Sequence, residues 1–247
     1  MLDFSKIDTL KEQLNKNRPL PPEVLQNLRE VFRVDWTYHS NAIEGNTLSL
    51  LETKMVVEEG ITVGGKTLRE HFEAINHAEA IDFVETLVEQ NSELSERIIK
   101  DLHALVLKNI DDKNAGTYRS VNVGISGSLH KPPHFLQVAE EMKRLLIWFK
   151  KNQDLLHPVE LAARFHFQFV YIHPFIDGNG RTARLLMNLI LMGAGFPPAI
   201  IKADREKRLY YYETLEKASV NGDLEPFILL VSECVEESLT RFLNAIS

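Results

Sequence analysis

A single cysteine, Cys234, is all the thiol chemistry this chain has, so no internal disulfide can form. That is in keeping with a reducing compartment. Cys234 lies in an apolar helical stretch and reads as a buried, inert thiol rather than a nucleophile. Basic residues are in the minority. The 28 Lys and Arg stand against 35 Asp and Glu, a net charge of -7. Such a surface argues against a chain built to wrap nucleic-acid backbone, while leaving room for one small cationic pocket. Long apolar runs are missing too. The longest, around Leu185 to Phe196, is broken by Asn188, Gly193 and Gly195 and is too short to span a bilayer. The opening MLDFSKIDTLKEQL carries charges every few residues and lacks the apolar core of a signal peptide. No nucleic-acid or membrane partner is therefore expected, and the expected location is cytoplasmic. Solenoid repeats, Pro/Gly/Ser-rich linkers and a GxxxxGK[ST] phosphate loop are likewise absent.

What remains is ordinary for a folded protein. The 247 residues are 44% hydrophobic and 26% charged, which excludes disorder and is enough to bury a real core. The dominant pattern is helical. Val24, Leu25, Leu28, Val31, Phe32 and Trp36 recur at three-to-four spacing and predict a helix from Pro22 to about Ile43. Gly45 suits the position just past its end. Ser49 and Glu52 form a capping-box pattern for a helix running to about Glu59. A helix from Leu68 to about Gln90 is expected to turn Phe72, Ile75, Ala78, Phe83 and Leu87 inward, and Ser95 is an N-cap for the next, through Leu107. Further helices are predicted over Gln137–Lys151, Pro158–Tyr171, Arg181–Gly193, Arg205–Ala218 and from Asp223 to the end. Between Asp111 and Phe135 the pattern changes. Val121 and Val123 alternate with polar residues, and Leu129 follows a Ser-Gly-Ser turn, which predicts an exposed β-hairpin. The expected fold is mostly α, with one hairpin.

One segment is unlike ordinary helix sequence: His173-Pro174-Phe175-Ile176-Asp177-Gly178-Asn179-Gly180-Arg181-Thr182-Ala183-Arg184. Pro174 ends the preceding helix, because the residue before proline is pushed away from helical geometry. Gly178-Asn179-Gly180 can turn successive backbone N–H groups inward as an anion nest. A helix follows directly, and its N-terminus adds free N–H groups and partial positive charge. Arg181 and Arg184 are three apart, so they share a helix face and can fork onto phosphate oxygens. Asp177 offers a hard oxygen suited to Mg²⁺. His173 stands at the loop mouth with a side chain suited to proton abstraction. Taken one at a time these residues are a helix stop, a turn and two solvated arginines. Together they describe a metal–polyphosphate site with a base beside it.

HPFIDGNGRTAR resembles the signature of the Fic family, HxFx[DE]GNGRxxR, at every specified position. The context over roughly residues 92 to 245 is similar to the family core. The resemblance implies transfer of AMP from ATP to a Ser, Thr or Tyr hydroxyl of a target protein. It implies His173 as general base, Phe175 as the loop's buried anchor and Asp177 as the Mg²⁺ ligand. Gly178, Asn179 and Gly180 would cradle the α- and β-phosphates, with the Asn179 amide on an α-phosphate oxygen. Arg181 would take the β-phosphate and Arg184 the γ-phosphate. Tyr211 and Tyr212 lie where relatives contact the nucleoside, although helical aromatics are as often core. The hairpin resembles the family's flap, whose edge could hold a target backbone. His130 and His134 have no acidic or Cys partners at metal spacing.

Upstream, Ser40-Asn41-Ala42-Ile43-Glu44-Gly45-Asn46 is similar to the family's inhibitory pattern [ST]xxxE[GN]. Glu44 falls at the predicted end of a helix, where the helix dipole opposes a carboxylate. It is either simply exposed or meets a cation. The resemblance implies that it pairs with Arg184 and blocks the γ-phosphate. The chain then divides into an N-terminal helical region, 1–90, bearing the inhibitory helix, and a catalytic core, 91–247. The resemblance also allows reverse removal of AMP, self-modification and pairing into a homodimer. Two rival readings stay open: a relative that moves a different phosphate-containing group, and a nucleotide-responsive interaction protein with little turnover.

Overall fold

Capping chemistry sets where several helices begin in the computed structural model, which describes residues 2–246. Ser49 Oγ accepts from Glu52 N at 3.2 Å while the Glu52 carboxylate accepts from Ser49 N at 2.7 Å. Thr67 and Glu70 repeat the arrangement at 3.2 and 2.8 Å. Ser95 Oγ accepts from Ile98 N. The helices these residues start are α3 (Leu50–Glu59), α4 (Leu68–Glu89) and α5 (Glu96–Leu107). Before them run α1 (Ser5–Lys16) and α2 (Pro22–Ile43). After them come α6 (Val138–Asn152), α7 (Pro158–Ile172), α8 (Asn179–Gly193), α9 (Arg205–Asn221) and α10 (Glu225–Ala245). The expected boundaries hold to within a few residues. Helix α1 was not anticipated: it is short and offers little periodic apolar pattern, yet Ile7 and Leu14 bury fully where it packs on α10.

Helix α8 is the centre. Every residue from Arg181 to Leu191 is buried, polar ones included. It lies along α7, with α4, α5 and α2 around its N-terminal half. Residues from both sides of position 90 share one core: Ile7, Leu28, Trp36 and Val84 belong to the same cluster as Phe165, Leu186 and Phe227. Helix α4 departs from its expected inner face. Ala78 and Leu87 are buried, but Phe72, Ile75 and Phe83 are only half-buried, and His71, Ala74, Asn76, His77, Ala80, Ile81 and Val84 take the interior. The reason is that α4 touches α2, α3, α5 and α8 at once, so more than one of its faces is covered.

The expected β-hairpin is not formed. Among the described residues there is no strand, and residues 108–134 run as an irregular excursion with turns. Val121 is 51% and Leu129 81% exposed, so neither arm has a buried face to fix a register. Side chains hold the excursion where a ladder would have done so. Arg119, itself buried, donates to His173 O (2.8 Å), Val121 O (3.0 Å) and Pro133 O (2.5 Å). Glu216 of α9 accepts from Leu129 N at 2.7 Å and from Ser128 Oγ. No described helix is long and apolar enough to cross a membrane.

Candidate active site

The loop between α7 and α8 is set by its own sequence. His173 ends α7 in the left-handed region (φ 51°, ψ 61°), as Pro174 after it demands a break. Gly178 follows at φ 75°. A Cβ there would press on Val106 and His103, so both the angle and the space call for glycine. Phe175 is fully buried and lies flat on His103, ring centroids 3.5 Å apart. The Asn179 amide clamps the loop from inside: its Oδ1 accepts from Phe175 N and its Nδ2 donates to Phe175 O, both at 3.0 Å. One donor position of that amide is thus spent within the loop.

The first N–H to bond back within α8 is that of Thr182, to Gly178 O at 3.0 Å. The N–H groups of Asn179, Gly180 and Arg181 therefore have no helical acceptor and form an anion-binding end. An anion is already there. Glu44, which follows the last residue of α2, puts Oε1 2.7 Å from Arg184 Nη2. A Cβ on Gly180 would collide with the same oxygen and lie 3.2 Å from Arg184 Nη1. The carboxylate thus fills the space above the helix end.

Arg184 is almost wholly enclosed, its side chain 3% exposed against 33% for Glu44. Its Nε donates to Ser40 Oγ (3.0 Å), its Nη2 also to Ser40 O (2.8 Å), and its Nη1 to the Tyr211 hydroxyl (3.3 Å). Burial works against its charge, and Glu44 and Tyr211 more than restore it. Tyr211 is buried at 2%, with its hydroxyl also 3.2 Å from His166 Nε2, so it stands behind Arg184. Tyr212 is 41% exposed and donates to Ile43 O at 3.0 Å, beside Glu44.

Asp177 Oδ1 accepts from Gly178 N at 2.6 Å and faces Arg181 Nη2 at 3.4 Å, while Oδ2 accepts from Arg69 Nη2 at 2.5 Å. Burial alone would raise this carboxyl, but Arg181, the Gly178 N–H and Arg69 outweigh it and hold it below its ordinary range. No cluster of three or more His, Cys, Asp or Glu able to cage a metal occurs among the described residues. One carboxylate completed by substrate phosphates is nevertheless how Mg²⁺ is commonly held. Asp177 fits that role, since Oδ2 already faces a cation.

His173 has Nδ1 3.4 Å from Val170 O, which leaves Nε2 with the lone pair. Burial first, then the nearby Arg119 charge, pushes it down to about 4, with Val170 O and Glu44 opposing. His103 bridges the loop to the excursion: Nδ1 accepts from Gly116 N (2.9 Å), so Nε2 carries the proton given to Asp177 O (2.9 Å). Sequence reasoning did not single out His103, Arg119, Arg69 or Glu73. Each is an ordinary residue in its own neighbourhood and gains meaning only from partners far along the chain.

The family model described as the Fic/DOC family matches residues 93–191, which span this loop and most of α8. A solved segment of Fic-1 from C. elegans is 36% identical, with a TM-score of 0.88 over 98% of this chain and 71% of that one. A Fic domain containing signaling protein from Bacteroides thetaiotaomicron is 30% identical, with a TM-score of 0.90 over 98% of this chain and 97% of that one. The chain belongs to the Fic family. Among curated Fic proteins, the protein adenylyltransferase Fic of Nematostella vectensis is 41% identical over 98% of this chain and 56% of its own length. That of Culex quinquefasciatus is 36% identical over 99% of this chain and 48% of its own length. The chain spans about half the length of the curated relatives it matches.

The buried histidines make a pH prediction. His39, His103 and His173 are each pushed down to about 4, mainly by burial, and His77 and His166 fall well below their ordinary value for the same reason. In the unfolded chain each titrates near ~6.5. Between those values the unfolded state binds more protons, so stability is full above about 6.5 and is lost as pH falls toward about 4. Each histidine withdraws up to about 1.4 kcal/mol per pH unit across that window. Thermal unfolding followed from pH 7.5 to 4.5 should show a falling midpoint before the ordinary carboxylates protonate. A flat profile between pH 7 and 5 would contradict the burial of these rings.

Proposed function

We propose that the protein transfers AMP from ATP to a hydroxyl of a target protein, and that Glu44 holds this activity off. The observation that carries the proposal is the Glu44 carboxylate lodged over Gly180 and bonded to Arg184 at 2.7 Å, an anion in the place built for one. The names of the curated relatives support the chemistry. In this reading residues 1–90 bear the inhibitory helix, and 91–247 form the catalytic core.

The residues suggest how the reaction runs. The free N–H groups of Asn179, Gly180 and Arg181 receive phosphate oxygens, and Arg181 and Arg184 neutralise the β- and γ-phosphates. Asp177 would hold Mg²⁺, which when bound would supply neutralising charge to the phosphates. Tyr212, half-exposed on α9, would contact the nucleoside, and Tyr211 backs Arg184. His173 Nε2 accepts the proton of the attacking hydroxyl. The neutral imidazole is the form that can do so, and an arriving phosphate raises its proton affinity above the empty-site value. The hydroxyl oxygen bonds to the α-phosphorus in line, and pyrophosphate leaves. Catalysis is then mainly positioning and charge stabilisation.

The donor can be tested by isotope position. In a Glu44→Gly protein with Mg²⁺ and cell lysate, ATP labelled on the α-phosphate should label protein, whereas ATP labelled on the γ-phosphate should not. Label from the γ position would mean phosphate transfer. ATP binding with no label from either position would favour an interaction protein with little turnover.

A further inference from the structure

We infer that Arg69 of helix α4 is a built-in competitor for the divalent cation at Asp177, so that this chain sets its own cation requirement. The inference rests on the reading above that Asp177 takes a cation together with the nucleotide.

Four charged side chains close a ring at the mouth of the loop. Arg69 Nη2 meets Asp177 Oδ2 at 2.5 Å, and Arg181 Nη2 faces Asp177 Oδ1 at 3.4 Å. Arg181 Nη1 meets Glu73 Oε1 at 3.2 Å, and Arg69 Nε closes on the same oxygen at 3.1 Å. The charges alternate and sum to zero. Glu73 Oε2 is also bound, by Asn46 Nδ2 at 2.9 Å, which joins the ring to the turn that follows Glu44.

Both Asp177 oxygens are therefore in use. A Mg²⁺ or Mn²⁺ ion takes carboxylate oxygen at roughly 2.1 Å. Oδ2 keeps a second lone pair, so the conflict is one of charge: a divalent cation on that oxygen and the Arg69 guanidinium already bonded to it repel each other at close range. One member of the ring is driven away, and burial decides which. The Arg181 side chain is 3% exposed and Glu73 11%, whereas Arg69 is 56% exposed on the solvent side. Arg69 can swing into water while keeping its solvation. As a bland i,i+4 partner of Glu73 it would have no reason to touch a residue 108 positions away on the reacting loop. Exposed ion pairs of this kind are weak, so releasing the competitor should tighten cation binding by about two- to fivefold.

The probe is Mn²⁺, whose free form is counted by electron paramagnetic resonance, titrated into the full chain with an ATP analogue that cannot be cleaved between the α- and β-phosphates. Arg69→Ala should bind Mn²⁺ about two- to fivefold more tightly than the wild type. Arg69→Gln, which keeps a donor for Glu73 but no charge, should follow it. Adding Asp177→Asn should remove the gain. Mn²⁺ affinity that depends on Asp177 but is unchanged or weaker in both Arg69 variants would overturn this inference alone. Weaker binding would mean that Arg69 helps hold the phosphates. Mn²⁺ affinity indifferent to Asp177→Asn would overturn the metal reading itself, and this inference with it.

Discussion

Glu44→Gly should raise the initial rate of AMP transfer by roughly 30-fold to several thousand-fold. The range follows from geometry. Breaking a desolvated charge-assisted pair is worth about 2–5 kcal/mol. Each 1.36 kcal/mol is about a factor of ten in rate when the pair must break before the nucleotide can seat productively. The Glu44 side chain is a third exposed, so water screens it and the lower part of the range is expected. The substitution should also leave a mark on stability. Arg184 would lose its only carboxylate partner among the described residues while staying buried, kept company by Ser40 and Tyr211. A loss of about 1–3 kcal/mol is expected for such a group. Saturating Mg²⁺–ATP should restore more stability to the variant than to the wild type, because the γ-phosphate supplies the missing anion. Glu44→Gln, which keeps the shape and removes the charge, guards against an effect of a second glycine beside Gly45. If both variants transfer AMP no faster than the wild type, the carboxylate over Gly180 is not what holds the enzyme back.

The residues alone left Glu44 either exposed or facing a cation, and only the resemblance to the family pattern implied Arg184 as its partner. The loop from His173 to Arg184 was legible because its residues are close along the chain and each has a local physical reason: a proline stop, a glycine at positive φ (Gly178), arginines three apart. Helix limits at Ser49, Thr67 and Ser95 were legible on the same ground, since caps are local chemistry. The excursion over 108–134 was not. Alternating valines suggested strands, but nothing in the sequence could say that Arg119 would bury and take three carbonyls, or that Glu216 would reach across from α9. The charged ring of Arg69, Asp177, Arg181 and Glu73 was invisible for a related reason. Its members come from α4 and from the loop at the start of α8, and only the packing of α4 on α8 brings them together. Tyr211 shows the same limit. Its place in the sequence suggested a nucleoside contact or core, and the fold puts its hydroxyl on Arg184.

His173→Ala in the Glu44→Gly background should lower the transfer rate by about 10²–10⁴-fold, the usual worth of a positioned general base. ATP affinity should change little, because the groups expected to grip the phosphates all lie beyond the imidazole, at Asn179, Gly180, Arg181 and Arg184. The backbone complicates a simple reading. His173 sits at φ 51°, where alanine is strained. It also presents its carbonyl to Arg119 at 2.8 Å, so a shifted loop could mimic a lost base. Asn tolerates the left-handed region better than Ala and carries no basic nitrogen. If the imidazole acts as base, His173→Asn should be as slow as His173→Ala while keeping the thermal stability of its parent. If Asn restores turnover, the position matters for its backbone alone. A loss of less than tenfold in both variants, with ATP still bound, would mean that the hydroxyl gives up its proton elsewhere. The substrate's own phosphate oxygens would then be the nearest acceptors.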